Sequence, residues 1–178
     1  MNLNNQDKID VNQLIGKLQK SDKNYADICK ALKAIYWVLT PLYLIMTIVF
    51  YIDTKEINNM LAGIAMISCF VIFLVILNKY QKEYNGVDYS LPTLLMLKKA
   101  AERYQPFRPE SIWAIIAIIL MDIGFYINSF NKIDFLNFHI YSGSIIILSI
   151  IVGLIIWYNK YKPLRDNALA SILEIEGE

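Results

Sequence analysis

Histidine occurs once in this 178-residue chain, cysteine twice, proline five times and glycine seven times. Each scarcity removes a class of chemistry. A single histidine, His139, cannot build a His-rich zinc site or an HExxH helix, and at the mouth of an apolar run it reads as an interfacial polar residue. None of the glycines falls into GxGxxG, GxxxxGK or GxSxG spacing, which leaves no phosphate-cradling loop and no serine nucleophile elbow. Ser142-Gly143-Ser144 resembles such a turn only superficially; with no base beside it, it reads as helix packing. Cys29 and Cys69 cannot form a disulfide framework, because one precedes the first apolar run and the other lies halfway along the second. Both read as reduced thiols. Lys30 and Lys33 beside Cys29 can lower a thiol pKa, but a place on the packing stripe of a long helix is the plainer account. Charged residues make up only 19% of the chain, with 17 Lys and Arg against 16 Asp and Glu, so no strongly basic or acidic tail is available to explain function. The basic segments show no alternation with aromatics of the kind that stacks single-stranded bases, and nucleic acid is not an expected partner.

What is abundant is apolar: 56% of residues are hydrophobic, 13% aromatic, and the mean hydropathy is +0.39. The excess sits in four runs, 34–52, 57–78, 111–131 (interrupted by Asp122) and 135–159, each near the ~20 residues that span hydrocarbon as a helix. The pattern predicts an all-α polytopic membrane protein, a four-transmembrane-helix bundle with spans at about 34–52, 58–78, 112–130 and 139–158. Around the 34–158 transmembrane domain lie an N-terminal amphipathic segment (1–33), a middle loop (79–111) and a C-terminal helix (159–178). The first run begins 33 residues in without a small-residue cleavage site, unlike a removable signal peptide.

Orientation follows from the positive charges. Fifteen of the 17 Lys and Arg fall in the segments before span one, between spans two and three, and after span four. Only Lys55 and Lys132 lie in the other connections. Because Lys and Arg resist translocation, both termini and the middle loop are expected in the cytoplasm. Trp37, Trp113 and Trp157 fall at the same interface, while Phe130, Phe135, Phe138 and Tyr141 line the opposite rim. The outer connections are too short for a domain and tie the spans into helical hairpins.

The inner segments carry helical patterning. Val11, Leu14, Ile15 and Leu18 follow amphipathic spacing after a cap at Asp10. Leu94, Leu95, Leu97, Ala100, Ala101 and Tyr104 continue from Ser90-Leu91-Pro92 until Pro106 and Pro109 end the pattern. Leu164, Ala168, Leu169, Ile172 and Leu173 form a third stripe. Two arrangements fit: helices lying separately at the lipid headgroups, or a small packed layer that could also dock a partner.

The polar residues inside the spans define the candidate site. Antiparallel placement brings Tyr43, Thr47, Ser68, Asp122 and Ser149 to similar depth. Tyr36, Thr40, Tyr43, Thr47 and Tyr51 share one face of span one, continued downward by Tyr25 and Cys29. If Asp22 caps this helix, it extends well below the hydrocarbon, with a modest kink at Pro41. A central aspartate costs ~2.5–3.5 kcal/mol to insert, so Asp122 is expected to face protein, hydrogen-bonded to Tyr43, Thr47, Ser68, Ser149 or Tyr126, with desolvation favouring its neutral form. It supports two readings: a hydrogen-bond hub that fixes helix registry, or a proton- or cation-coupling site.

Three stretches, Asp88-Tyr89-Ser90-Leu91-Pro92-Thr93, Lys98-Lys99-Ala100-Ala101-Glu102-Arg103-Tyr104 and Trp157-Tyr158-Asn159-Lys160-Tyr161-Lys162-Pro163-Leu164-Arg165-Asp166, resemble segments of small uncharacterised four-span inner-membrane proteins of Gram-negative bacteria. Some of these are encoded beside alternative sigma factors. The resemblance implies the bacterial inner membrane and a regulatory, anti-sigma-like membrane component; it assigns no residue a role. The expected function is thus a non-enzymatic membrane scaffold or regulatory subunit, without cofactor, that presents cytoplasmic helices to a protein partner or to further copies of itself in the lipid bilayer. The rival is a small transporter or channel using Asp122.

Overall fold

The computed structural model describes residues 11–129 and 134–177. The cap expected at Asp10 and the rim position at Phe130 lie outside the described residues. Among the described residues six α-helices follow one another: α1 (Val11–Thr54), α2 (Ile57–Asn85), α3 (Thr93–Arg103), α4 (Ser111–Ser129), α5 (Phe135–Ile156) and α6 (Lys162–Gly177). No strand occurs among the described residues. Four helical stretches among the described residues are long and apolar enough to cross a membrane: α1, α2, α4, and the rod made by α5 and α6.

Local chemistry explains the breaks. α1 runs its 44 residues through Pro41, about 66 Å at 1.5 Å per residue. It stops where Lys55 adopts a left-handed conformation, φ 58°. Thr54 secures that turn, its hydroxyl donating to the Phe50 carbonyl at 2.8 Å and accepting from the Glu56 N–H and the Asn59 amide. Asp22 therefore lies inside α1 and caps nothing. Between α5 and α6 the helix does not end. It widens into a π-helical turn over Trp157–Tyr161, with the Lys162 N–H bonded to the Trp157 carbonyl. Pro163 is the cause: it has no N–H to give Asn159, and its ring would press on that carbonyl, so the chain inserts a wide turn ahead of it. The C-terminal helix is thus the continuation of the fourth apolar run.

Packing divides the molecule into two zones. In the apolar zone, α1, α2 and α4 share a core of Met66, Cys69, Phe70 and Ala117, flanked by Tyr36 and Tyr43. The Tyr36 ring lies 5.4 Å from that of Phe73, nearly parallel, and Tyr43 meets Phe70 edge-on at 5.6 Å. Two glycines set how closely the helices approach. A Cβ on Gly124 would stand 2.9 Å from Met66 Cγ and 3.2 Å from the Ala62 carbonyl, and Gly63 lies directly beneath Thr47. By contrast α5 buries no residue. It meets α4 around Asp122 and Tyr126 and otherwise stands apart from the other three.

The second zone is a helical head. The amino-terminal half of α1, the end of α2, α3 and α6 close on Leu14, Leu18, Ala26, Tyr84, Met96, Leu97, Ala100, Tyr104, Ala168 and Ile172. Leu18, Leu97, Ala100 and Ala168 have no exposed surface. The three amphipathic stripes seen in the sequence thus meet one another, with Leu95, Leu169 and Leu173 left exposed, and each fully buried leucine contributes roughly 1.5–3 kcal/mol. The peripheral pair of Lys98 and Glu176, 2.6 Å apart but half-exposed, adds little beside that.

Candidate functional site

Asp122 stands near the middle of α4, and the side chain that reaches it belongs to His139 in the first turns of α5. Nδ1 of His139 lies 3.1 Å from Oδ2 of Asp122. Aromatic rings enclose the imidazole: Phe135 at 4.3 Å edge-on, Tyr126 at 5.1 Å and Phe138 at 5.2 Å. Oδ1 of Asp122 is buried and accepts no hydrogen bond.

The other polar residues expected around this acid are engaged elsewhere. Thr47 donates to the Tyr43 carbonyl at 2.8 Å on its own helix, against Gly63. Ser149 is exposed and donates to the Ile145 carbonyl at 2.8 Å. Tyr43 packs on Phe70, and Ser68 is half-buried on α2. Of the six residues named from the sequence, the structure gathers Asp122 and Tyr126, adds His139, and puts Tyr43 and Thr47 on the α1–α2 seam. The imidazole was concealed by its position at the start of an apolar run, yet α5 begins beside the middle of α4, so the side chain reaches inward. Chemically the pair can hold a proton between carboxylate and imidazole.

A second acid matters as much and looks unremarkable in the sequence. Asp22 is 1% exposed. Its Oδ2 accepts from Arg103 Nη2 at 2.9 Å and from the Tyr89 hydroxyl, and its Oδ1 from the Tyr104 hydroxyl at 2.5 Å. The Tyr84 hydroxyl donates to the Arg103 carbonyl at 3.1 Å, and the Trp157 indole N–H to the Tyr104 carbonyl at 2.9 Å. Tyr161 of the π turn stacks on Tyr104, ring centres 5.7 Å apart. One carboxylate therefore ties α1 to α3 and to the connection before it, while Trp157 and Tyr161 fasten the end of α5 to the same knot. A signal was present: Asp22 continues the stripe of Leu14, Leu18 and Ala26, a charge on an apolar face that needs a buried partner.

Burial shapes the titration of the head. Burial raises Tyr25 and Tyr84 above 10.0; it also raises Tyr89 and Tyr104, with their bonds to Asp22 adding to the effect. Burial likewise pushes the Cys29 thiol up to about 11, in the direction opposite to that expected from Lys30 and Lys33, and leaves no reactive thiolate near neutrality. These tyrosines bind their protons more tightly folded than unfolded. Their stabilisation is complete below pH 10 and is lost as pH rises through the folded values. In an alkaline titration, tyrosinate absorbance from this group is therefore expected to appear together with loss of helical circular dichroism. Smooth ionisation near pH 10 in a protein that stays folded would contradict it.

Among the described residues no group of three or more His, Cys, Asp and Glu is placed to hold a metal ion. No family model, curated protein or solved structure matches the chain.

Proposed function

We propose that this is a multi-pass protein of the bacterial inner membrane with both termini cytoplasmic, a non-enzymatic scaffold or regulatory subunit whose helical head engages a protein partner. One observation carries the reading. The three segments rich in Lys and Arg, separated along the chain by apolar helices, meet in a single head held by Asp22, as segments on one side of a membrane must if they are to pack together. The head uses its apolar faces internally, so a partner meets its outer surface, where Leu173 is 72% exposed and Leu169 lies one turn away. A photo-crosslinker at position 173, activated in native membranes, is expected to yield a discrete protein adduct that Leu173→Glu weakens in competition. Adducts to lipid alone would defeat the partner reading.

The Asp122–His139 pair favours a second reading, proton- or cation-coupled transport, because an ionisable pair among apolar helices is costly unless it is used. Asp122→Asn is expected to abolish proton-dependent flux in vesicles while the protein keeps its fold. Absence of flux from the unmutated protein would remove this reading.

A further inference from the structure

We propose that the groove on the outer flank of the α1–α2 seam, where Lys33 reaches across to α2, binds the headgroup of an anionic phospholipid whose chains lie against Trp37, Val71 and Val75. The inference rests on the membrane reading above. Lys33 donates to Oδ1 of Asn78 at 3.2 Å, and these two residues stand where the first apolar run begins and the second ends, at the depth of lipid headgroups. From that bond toward the head extends an open groove of about 360 Å³, the room of roughly twelve waters at ~30 Å³ each, which suits a headgroup rather than a whole lipid.

Two stripes, one on each helix, carry the groove. On α2, Val71, Val75, Asn78, Lys82 and Asn85 recur at steps of four, three, four and three and so share a face; on α1, Lys30, Lys33 and Trp37 follow steps of three and four. The polar lower ends of both stripes meet: Lys33, Asn78, Lys82 and Asn85 line the space, and no carboxylate does. Lys30, one turn from Lys33, adds a third positive charge. Among the described residues none of the three lysines has an acid as partner, and the one acceptor they hold is the Asn78 amide oxygen. The head treats its charges otherwise, since Lys79, Lys98, Arg103 and Arg108 each meet a carboxylate. Lys30, Lys82 and Asn85 are exposed and Lys33 half-buried, so a ligand entering the groove meets reachable donors. With Oδ1 of Asn78 turned to Lys33, the Asn78 and Asn85 amide groups can add N–H donors to a phosphate that the ammonium charges attract.

Away from the head the same two stripes turn apolar. Trp37, one turn beyond Lys33, is 66% exposed, and Val75 and Val71, one and two turns beyond Asn78, are 65% and 45% exposed. Hydrocarbon attached to a phosphate in the groove is therefore laid against uncovered apolar side chains, with the Trp37 ring at the headgroup boundary that an amphipathic indole prefers. A water-borne phosphate compound would use the lysines and gain nothing from Trp37, Val71 or Val75, which favours the lipid.

The full-length protein, reconstituted in phosphatidylcholine vesicles with a minor share of chain-brominated phosphatidylglycerol, tests this through tryptophan fluorescence. The Trp37 signal is the difference between the protein and its Trp37→Phe variant. Its half-quenching is expected at no more than about a fifth of the share that brominated phosphatidylcholine needs, the ratio given by one lysine's attraction of ~1 kcal/mol to anionic lipid. Lys33→Gln combined with Lys82→Gln should abolish that preference, and Lys82→Gln alone, at an exposed side chain without a partner, should lower it. Lys160→Gln with Lys162→Gln removes the same charge from the neighbouring helix, where both ammonium groups lie over tyrosine rings, and should leave the preference intact; circular dichroism verifies that each variant folds. Equal quenching by the two lipids, a preference that survives loss of Lys33 and Lys82, or one lost equally with Lys160 and Lys162 would overturn the proposal. So would release of the brominated lipid by inorganic phosphate, since the ligand would then be water-borne. Flotation with the same vesicles separates the two levels. A protein that fails to float defeats the membrane reading, whereas one that floats without lipid preference at Trp37 defeats only the groove.

Discussion

Asp22→Ala is expected to cost about 3–5 kcal/mol and to open the head while the apolar zone stays helical. Losing one partner of a buried ion pair costs this much because the other charge stays behind uncompensated. Arg103 would keep its charge at 8% exposure with no counter-ion, and the Tyr89 and Tyr104 hydroxyls would lose their acceptor. Thermal unfolding in detergent should show the head melting early, and Cys29, now buried there, should become open to thiol reagents. Asp22→Leu combined with Arg103→Met should recover part of the loss, because two well-packed apolar residues replace a charge pair at lower desolvation cost than a lone charge. A loss below about 1 kcal/mol for Asp22→Ala, the scale of an exposed pair, would show that the cluster does not hold the head.

The second large effect belongs to the apolar zone. Gly63→Ala is expected to destabilise by about 1–3 kcal/mol through overpacking. Its new Cβ would stand 2.1 Å from Thr47 Cγ2 and 2.7 Å from Thr47 Cβ. Rotating Thr47 moves its Cγ2 and Oγ1 but leaves its Cβ in place, so α1 and α2 must separate. Thr47→Ala should therefore relieve the strain only in part, and Thr47→Gly more fully. Gly143→Ala is the control, since nothing lies within 4 Å of that position; it should be neutral or gain up to ~1 kcal/mol of helix propensity. Equal stability of the two alanine variants, read by denaturation in micelles, would refute the close approach of α1 and α2.

The helical class and the four apolar stretches were legible because hydrophobic runs of this length leave few alternatives. The stripes at Leu14–Leu18, Leu94–Tyr104 and Leu164–Leu173 were legible as amphipathic, but periodicity shows only that a face needs cover. It does not name the cover, and lying on lipid or packing together remained open until the core around Leu97 was seen. The partners of Asp122 escaped for a related reason. Equal depth along ideal spans pointed to Tyr43, Thr47, Ser68 and Ser149, whereas the true neighbour depends on where α5 starts and on its standing apart from α1 and α2. Asp22 reads as a cap because aspartates commonly sit at helix ends, but its coincidence with an apolar stripe is the more telling signal.

The wide turn at Trp157–Tyr161 has a mechanical consequence. Three long shafts, α1, α2 and the α5–α6 rod, run without interruption from one zone into the other. Neither zone can swivel against its neighbour on a slack hinge, so a push on the outer surface of α6 is delivered as torque to α5, the shaft with the fewest brakes along its length.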